Sequence, residues 1–588
     1  MSQSVREHTA AAARSPGAAA LIAADVAGHA PPTSSLLARL LPNGRGASGD
    51  ASGRWCDRLA VLLFAVLLAL VLWVFGDYGV TWDEPPHIHY GELIGRYYLS
   101  GFQDDRALEF RTNYYYGGGY DALSAAFRWL ARPMTSVRAV HLLGGLVGVL
   151  GVIGTWRLAR RLAGPFAGLV AALLLATNPV YFGHMFNNPK DLPFAVAYVW
   201  ALDALIVVIA ALPRPRRGHW LALTLAFGVA MSVRIAGVLL LCYLGLALGL
   251  YAVHQGKMRR SLDAALAYLG RLGARALGVA AGAWALMLLT WPWAQQDPLR
   301  RPFVTLTHMS SYSLHRRKMP FGGEDILNTE IGWDYLPTYF AYQLPELVLI
   351  AGLLGSAALA LVLLRRGHQH RHLGPALALL TLGLATWLPP VYAIVKGSVL
   401  YDGYRHFLFV VPPLTVIAAL TLDLVATRLA ARIGRAGRAM VAAVVAAGCL
   451  DLAVTMHRLH PHEYVYFNRL IGGLAGAQGN YDTDYYGNTF KEALAGLQLW
   501  LWREEPAAYL NTVYSFRGCI SAPTSHHYVP PNIRRHRRSL FGASADFHVG
   551  YTRSHCDRRY PHAPVIVAVE REGARLNVVK DLRERPRP

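Results

Sequence analysis

The chain has 588 residues, of which 54% are hydrophobic and 16% charged, against about 25% charged in an average soluble domain. That deficit, with a mean hydropathy of +0.28, excludes a purely soluble enzyme, a disordered scaffold and a fibre. The net charge of +21 sits largely between apolar runs, which is the pattern of a polytopic membrane protein and argues against a nucleic-acid partner.

Residues 1–58 are rich in Ala, Gly, Ser and Pro with scattered Arg, and read as a disordered tail. From Leu59 apolar segments of membrane-spanning length recur. They predict eleven helices, at 59–76, 137–155, 164–182, 192–212, 219–233, 235–253, 274–291, 344–364, 374–395, 406–426 and 438–456. Lys and Arg cluster in the loops at 157–161, 214–217, 257–271, 365–371 (with Arg371) and 428–438. Under the positive-inside rule those loops and the amino terminus are cytoplasmic. The loops at 77–136, 183–191, 292–343 and 396–405 then face outward, with the tail 457–588. That tail is itself basic, through Arg534, Arg535, Arg537 and Arg538, but long domains translocate regardless of charge. It reads as a small α/β soluble domain, with a helix around Phe490–Trp502 and strands at Thr512–Phe516 and Val565–Val569. Cys519 and Cys556 within it are either one disulfide or two free thiols. No CxxC or zinc spacing occurs among the five cysteines, and no internal repeat is visible.

Four outward stretches carry candidate chemistry. The first, Asp77 to Gly91, sets Asp83 and Glu84 beside His87 and His89, directly after the first span. Leu93, Ile94, Tyr97 and Tyr98 follow on one helical face, as in a helix lying in the membrane interface. The second is Asn187-Asn188-Pro189-Lys190-Asp191 before a span. Asp191 there is either a helix cap or an ionisable site residue facing the bundle interior, and the first-loop acids on the same side favour the latter. In the third, Tyr401 to His406, Arg405 is placed to pair with a phosphate at the bilayer surface, aided by Lys190, Arg234 and Lys396. Snorkelling at the interface is the plainer alternative. The fourth is the loop 292–343 with Arg300, Arg301, His315, Arg316, Arg317, Tyr335 and Tyr339, long enough to cover a site and aromatic enough to stack on sugars.

These motifs resemble the GT-C superfamily of glycosyltransferases, of the protein-mannosyltransferase and aminoarabinose-transferase type. Asp83-Glu84 with His89-Tyr90-Gly91 is similar to the family's first outer loop, with two extra residues, Pro85 and Pro86, or an equivalent shift. Asp191 matches an acid before a span, and Arg405-His406 running to Pro412-Pro413 is similar to a late span. The resemblance covers roughly 59–456 and leaves the tail without a role. It implies an all-α membrane domain with interfacial helices, acting on the outer face of a plasma or inner membrane. The donor it implies is a sugar on polyprenyl phosphate, and the acceptor a hydroxyl of a glycan, lipid or protein.

A phosphate leaving group needs no general acid, so one base suffices where a glycosidase needs two carboxylates. Asp83 is the expected base, in a single inverting displacement, with Glu84 and Asp191 orienting the acceptor or tuning the base. His89, Tyr339 and His406 are expected substrate contacts. Asp83, His87, His89 and Asp191 are also candidate ligands for a divalent cation, though no spacing singles one out. The rival is a transporter or flippase of lipid-linked sugars, which would call for inverted repeats and charges near the midplane.

Overall fold

The computed structural model describes residues 51–310, 316–366, 373–536 and 545–583. The stretch 1–50, His315, Arg371, Arg537 and Arg538 lie outside them. All eleven expected apolar segments are helical, but eleven spans are not reached on length and composition. Eight helices among the described residues are long and apolar enough to cross a membrane. The expected span 164–182 is two helices, Pro165–Ala176 and Pro179–Asn187, bent by 63°. Asn178 caps the second by accepting the Tyr181 N–H at 3.0 Å, and Pro179 has no N–H with which to continue the first. Counted as one span, the pair makes nine. Arg217–Val233 has only 17 residues, and Leu262–Leu288 is diluted by Arg271 and Arg275. The first helix begins at Ala51, ahead of the expected Leu59.

Asp191–Ala210 is the bundle's central helix, 83% buried over its most apolar window, whereas Gly53–Val74 and Glu346–Arg365 are 22% buried and peripheral. Without a hydrophobic drive between helices in lipid, close backbone approach holds the bundle. In Ser136–Ala163, a Cβ at Gly148 or Gly151 would strike Met185 or Tyr181. At one end of the bundle Arg160 pairs with Asp57 at 2.7 Å, and Arg157 and Arg161 share Asp203 at 2.7 and 2.8 Å.

The loops read as outward converge at the other end. Glu84–Leu99 is a helix as expected, and its Tyr90, Leu93, Ile94 and Tyr97 are buried with Ala107, so protein packing takes up much of that apolar face. The carboxyl-terminal sheet has five strands in the spatial order Ile533–Arg535, Tyr514–Gly518, Phe547–Tyr551, Ala574–Asp581, Val565–Arg571. The first three are mutually parallel and the last two join antiparallel. Phe490, Leu494, Leu497 and Leu501 of the helix Phe490–Glu504 fill the core of this sheet, and Cys519 is disulfide-bonded to Cys556. Tyr464, Tyr481, Tyr485 and Tyr486 pack instead with the core of the membrane helices, which carries the start of the tail into the end of the bundle.

Candidate active site

Asp83 is the residue before the first turn of Glu84–Leu99, yet its side chain does not cap that helix. A cap accepts from the N–H of the second or third helical residue, and here those are Pro85 and Pro86, which have none. The carboxylate is therefore free to turn toward the bundle. Lys190 Nζ approaches its Oδ2 at 2.9 Å and Arg405 Nη1 at 3.2 Å. Asp191 opens its own helix but leaves the capping role as well. One of its oxygens pairs with Arg234 Nη2. The other accepts from Asn188 Nδ2 at 3.0 Å and lies 3.3 Å from Arg405 Nη1.

Arg405 is delivered by a tight turn in which Asp402 and Gly403 both have positive φ, 60° and 69°. Glycine is needed at 403, where a Cβ would lie 2.5 Å from Gln343 Oε1. The guanidinium is sandwiched between the rings of Tyr401 and Tyr486, at 5.2 and 5.0 Å. Its Nη2 pairs with Asp402 at 3.0 Å. Its Nη1 also donates to the Tyr486 hydroxyl at 2.8 Å, which reaches Asp83 at 3.4 Å. Behind this, Asp402 meets Arg317 at 2.7 Å and Arg553 at 3.3 Å, and Arg317 meets Asp482 at 2.8 Å.

Exposure separates the roles. The Asp191 and Arg405 side chains are 2% and 3% exposed, while Lys190, Arg234 and Asp83 are 10%, 19% and 24% exposed. Asp83 and Arg234 are the most open of the five, Lys190 is nearly buried against Asp83, and Arg405 bridges the two carboxylates from within. Burial alone would raise the Asp83 pKa, but Lys190 first and then Arg405 hold it well below the usual carboxylate range. Lys190 is held above its usual value: burial lowers it, and Asp83, Tyr116 and Asp191 together more than offset that.

Other expected residues stand apart. Glu84 turns away, accepting from Thr81 N at 2.6 Å and lying 2.7 Å from His141 Nε2. His87 is bound to Asp121 at 2.9 Å, and His89 lies 3.5 Å from Glu92. Lys396 is exposed at the end of its helix and makes no ion pair among the described residues. Tyr339 is packed among Phe321, Tyr335 and Tyr481. His406 lies edge-on to Tyr401 at 4.7 Å. The four candidate metal ligands do not converge: Arg405 Nη1 lies between the two aspartates, and His87 and His89 turn to Asp121 and Glu92. Among the described residues no three His, Cys, Asp or Glu side chains form a metal-holding group. Tyr486, Asp482, Arg553 and Tyr116 were not expected at the site. The ring of Tyr116 lies under Lys190 at 5.4 Å and Arg234 at 6.0 Å.

Fold and site together define an integral-membrane protein with an ion-paired carboxylate centre at one end of its helix bundle. Residues 125–284 match the family described as dolichyl-phosphate-mannose-protein mannosyltransferase, a stretch that contains Asp191. The matched stretch is under half of the chain, so it marks a likeness to that family over this part. The chain is also similar in structure to ArnT from Cupriavidus metallidurans bound to undecaprenyl phosphate. That match has 16% identity over 88% of this chain and 97% of the other, with a TM-score of 0.45. A second similar structure is the archaeal oligosaccharyltransferase AglB from Archaeoglobus fulgidus, in complex with an inhibitory peptide and a dolichol-phosphate. There the identity is 15% over 78% of this chain and 62% of the other, with a TM-score of 0.43. The comparison with curated proteins gave no match.

Proposed function

We propose that the protein is a membrane glycosyltransferase that moves a sugar from polyprenyl phosphate to an acceptor hydroxyl on the outer face of a plasma or inner membrane. One observation above all supports the reading: Asp83, Asp191 and Arg405, far apart in sequence, meet within 3.3 Å of one guanidinium nitrogen, with Lys190 and Arg234 at the accessible edge. Asp83 takes the acceptor proton as the hydroxyl oxygen forms its bond to C1. The bond from C1 to the phosphate oxygen breaks, and polyprenyl phosphate leaves with the electron pair. Attack opposite the leaving group inverts the anomeric centre. Lys190 and Arg234 hold the phosphate by charge-assisted contacts, and neutralising its developing charge is the electrostatic share of catalysis.

The outward placement of the site rests on the basic loops, which lie on the opposite side if eleven segments span. The direct test uses purified protein, a labelled polyprenyl-phosphate sugar and a cell-envelope extract. Free polyprenyl phosphate and acceptor-linked label should rise together. Movement of intact lipid-linked sugar with no release of polyprenyl phosphate would replace the transferase reading with that of a transporter.

A further inference from the structure

A cavity of about 900 Å³ lies in the carboxyl-terminal domain, away from the aspartate centre. Arg517, Arg534, Arg535 and Arg559 line it together with His526, His536 and His548, and among the described residues no carboxylate lines it. Strand register explains part of the gathering. Ser515 pairs with Arg534 and Arg517 with His548 across parallel strands, so Arg517, Arg534 and His548 share one face of the sheet.

Arg553, Arg571, Arg575 and Arg583 of the same domain each meet a carboxylate. Among the described residues, none of the four cavity arginines does. Arg517 donates to the Tyr560 hydroxyl at 2.6 Å, and Arg535 to the Ile520 carbonyl at 2.6 Å. Arg534 and Arg559 are exposed. Uncompensated guanidiniums around a concavity focus a positive potential, and their planar forks suit carboxylate and phosphate oxygens. Val529, Pro530, Pro531 and Tyr560 supply an apolar wall. The volume is in the range that takes up an organic ligand and not merely an ion.

The cavity is also tied to the aspartate centre. Tyr528, next to the lining residue Val529, accepts the Val80 N–H on its hydroxyl, and Val80 lies three residues before Asp83. The Tyr528 carbonyl accepts from Gln498 Nε2 at 3.0 Å, which fixes the segment to the domain's main helix.

We infer that this cavity binds an anionic saccharide through its carboxylate or phosphate groups. On the transferase reading, on which this role rests, that saccharide is part of the acceptor, anchored beside the loop that bears the base. A concave site with an apolar wall favours a sugar end over the flat surface of an anionic bilayer.

The test is equilibrium binding to the full chain in neutral detergent, with tri-galacturonate as probe and its methyl ester as neutral control. Phosphatidylglycerol vesicles form the lipid arm. The acid should bind saturably and inorganic phosphate should displace it. The ester should bind at least about tenfold more weakly, as expected when a charged contact is lost. Arg534→Glu with Arg559→Glu should lower affinity for the acid by a similar factor, and the milder pair Arg534→Gln with Arg559→Gln should lower it less. Asp83→Asn should bind as wild type, so failure of the transferase reading and failure of this site are distinguishable. Equal binding of acid and ester, undiminished binding by both double variants, or attachment to the vesicles with no saturable binding of the sugar would each overturn the inference.

Discussion

The Lys190 ammonium lies 2.9 Å from the Asp83 carboxylate, so the proposed base rests beside its own counter-ion. A carboxylate held well below its usual pKa is ionised but a weak proton acceptor. An arriving phosphate competes for Lys190 and, on the proposed mechanism, restores the basicity of Asp83 only when donor is present. The acid limb of kcat/KM reports the free enzyme, and that of kcat the loaded one. The acid limb of kcat should therefore lie at higher pH than that of kcat/KM for the donor. Coincident limbs would mean that Lys190 stays on Asp83 throughout.

Asp83→Asn keeps the shape of the side chain and removes the base. General-base assistance contributes about 10²–10⁴-fold, so transfer should fall by at least the lower bound while donor binding persists. Near wild-type turnover by well-folded Asp83→Asn would falsify the base assignment.

Lys190 and Arg405 should respond differently to truncation. Arg405 is buried between Asp83, Asp191 and Asp402. Removing one partner of a buried pair costs about 3–5 kcal/mol. Arg405→Ala should therefore lower the melting temperature sharply, with loss of activity as a consequence. Lys190→Ala removes a cation that pairs with one carboxylate where Arg405 pairs with three, and should weaken donor binding about tenfold or more with a smaller fall in melting temperature. A stable Arg405→Ala that fails only in donor binding would make Arg405 the phosphate contact, as its position in the sequence led one to expect.

Tyr486 joins the tail to the site, accepting from Arg405 at 2.8 Å. A hydrogen bond to a charged group is worth about 1.5–3 kcal/mol. Tyr486→Phe keeps the ring over Arg405 and drops the hydroxyl, so transfer should fall by about tenfold or more with the fold retained. Unchanged kinetics would reduce Tyr486 to packing.

What could be read in advance follows from what is local. Asp83, Asp191 and Arg405 each sit where an apolar run begins or ends, and a charge at such a mouth is conspicuous by itself. Their meeting is not local: Arg405 and Asp83 are 322 residues apart, and no periodicity encodes that. The histidine pair misled because residues two apart on a helix do not face one another. His87 turns to Asp121 and His89 to Glu92. Tyr339 looked like a sugar platform, but its neighbours Phe321 and Tyr481 lie outside its own helix and bury it. The run Tyr481 to Phe490 gave no role in advance, because Asp482, Tyr485 and Tyr486 find their partners far away in Arg317, His184 and Arg405.

Behind the site, Asp482 shares Arg317 with Asp402, and its Oδ1 has no hydrogen-bond partner among the described residues. Burial pushes its pKa up to about 6, Arg317 opposes the shift and Asp402 adds to it. The sign follows from proton counting. Between the ordinary aspartate value of about 4 and the folded value of about 6, the folded chain holds more protons than the unfolded one. Stability contributed by this group is therefore full below about pH 4, falls as pH rises to about 6, and stays lost above that. The amplitude is at most about 3 kcal/mol, from a shift of roughly two pKa units. Asp482→Asn carries no titrating proton, so its apparent melting temperature in neutral detergent should lack this component of the slope and match or exceed that of wild type at neutral pH. A variant that retains the full wild-type slope between about pH 4 and 6 would assign the titration to another group and leave Asp482 ionised beside Arg317.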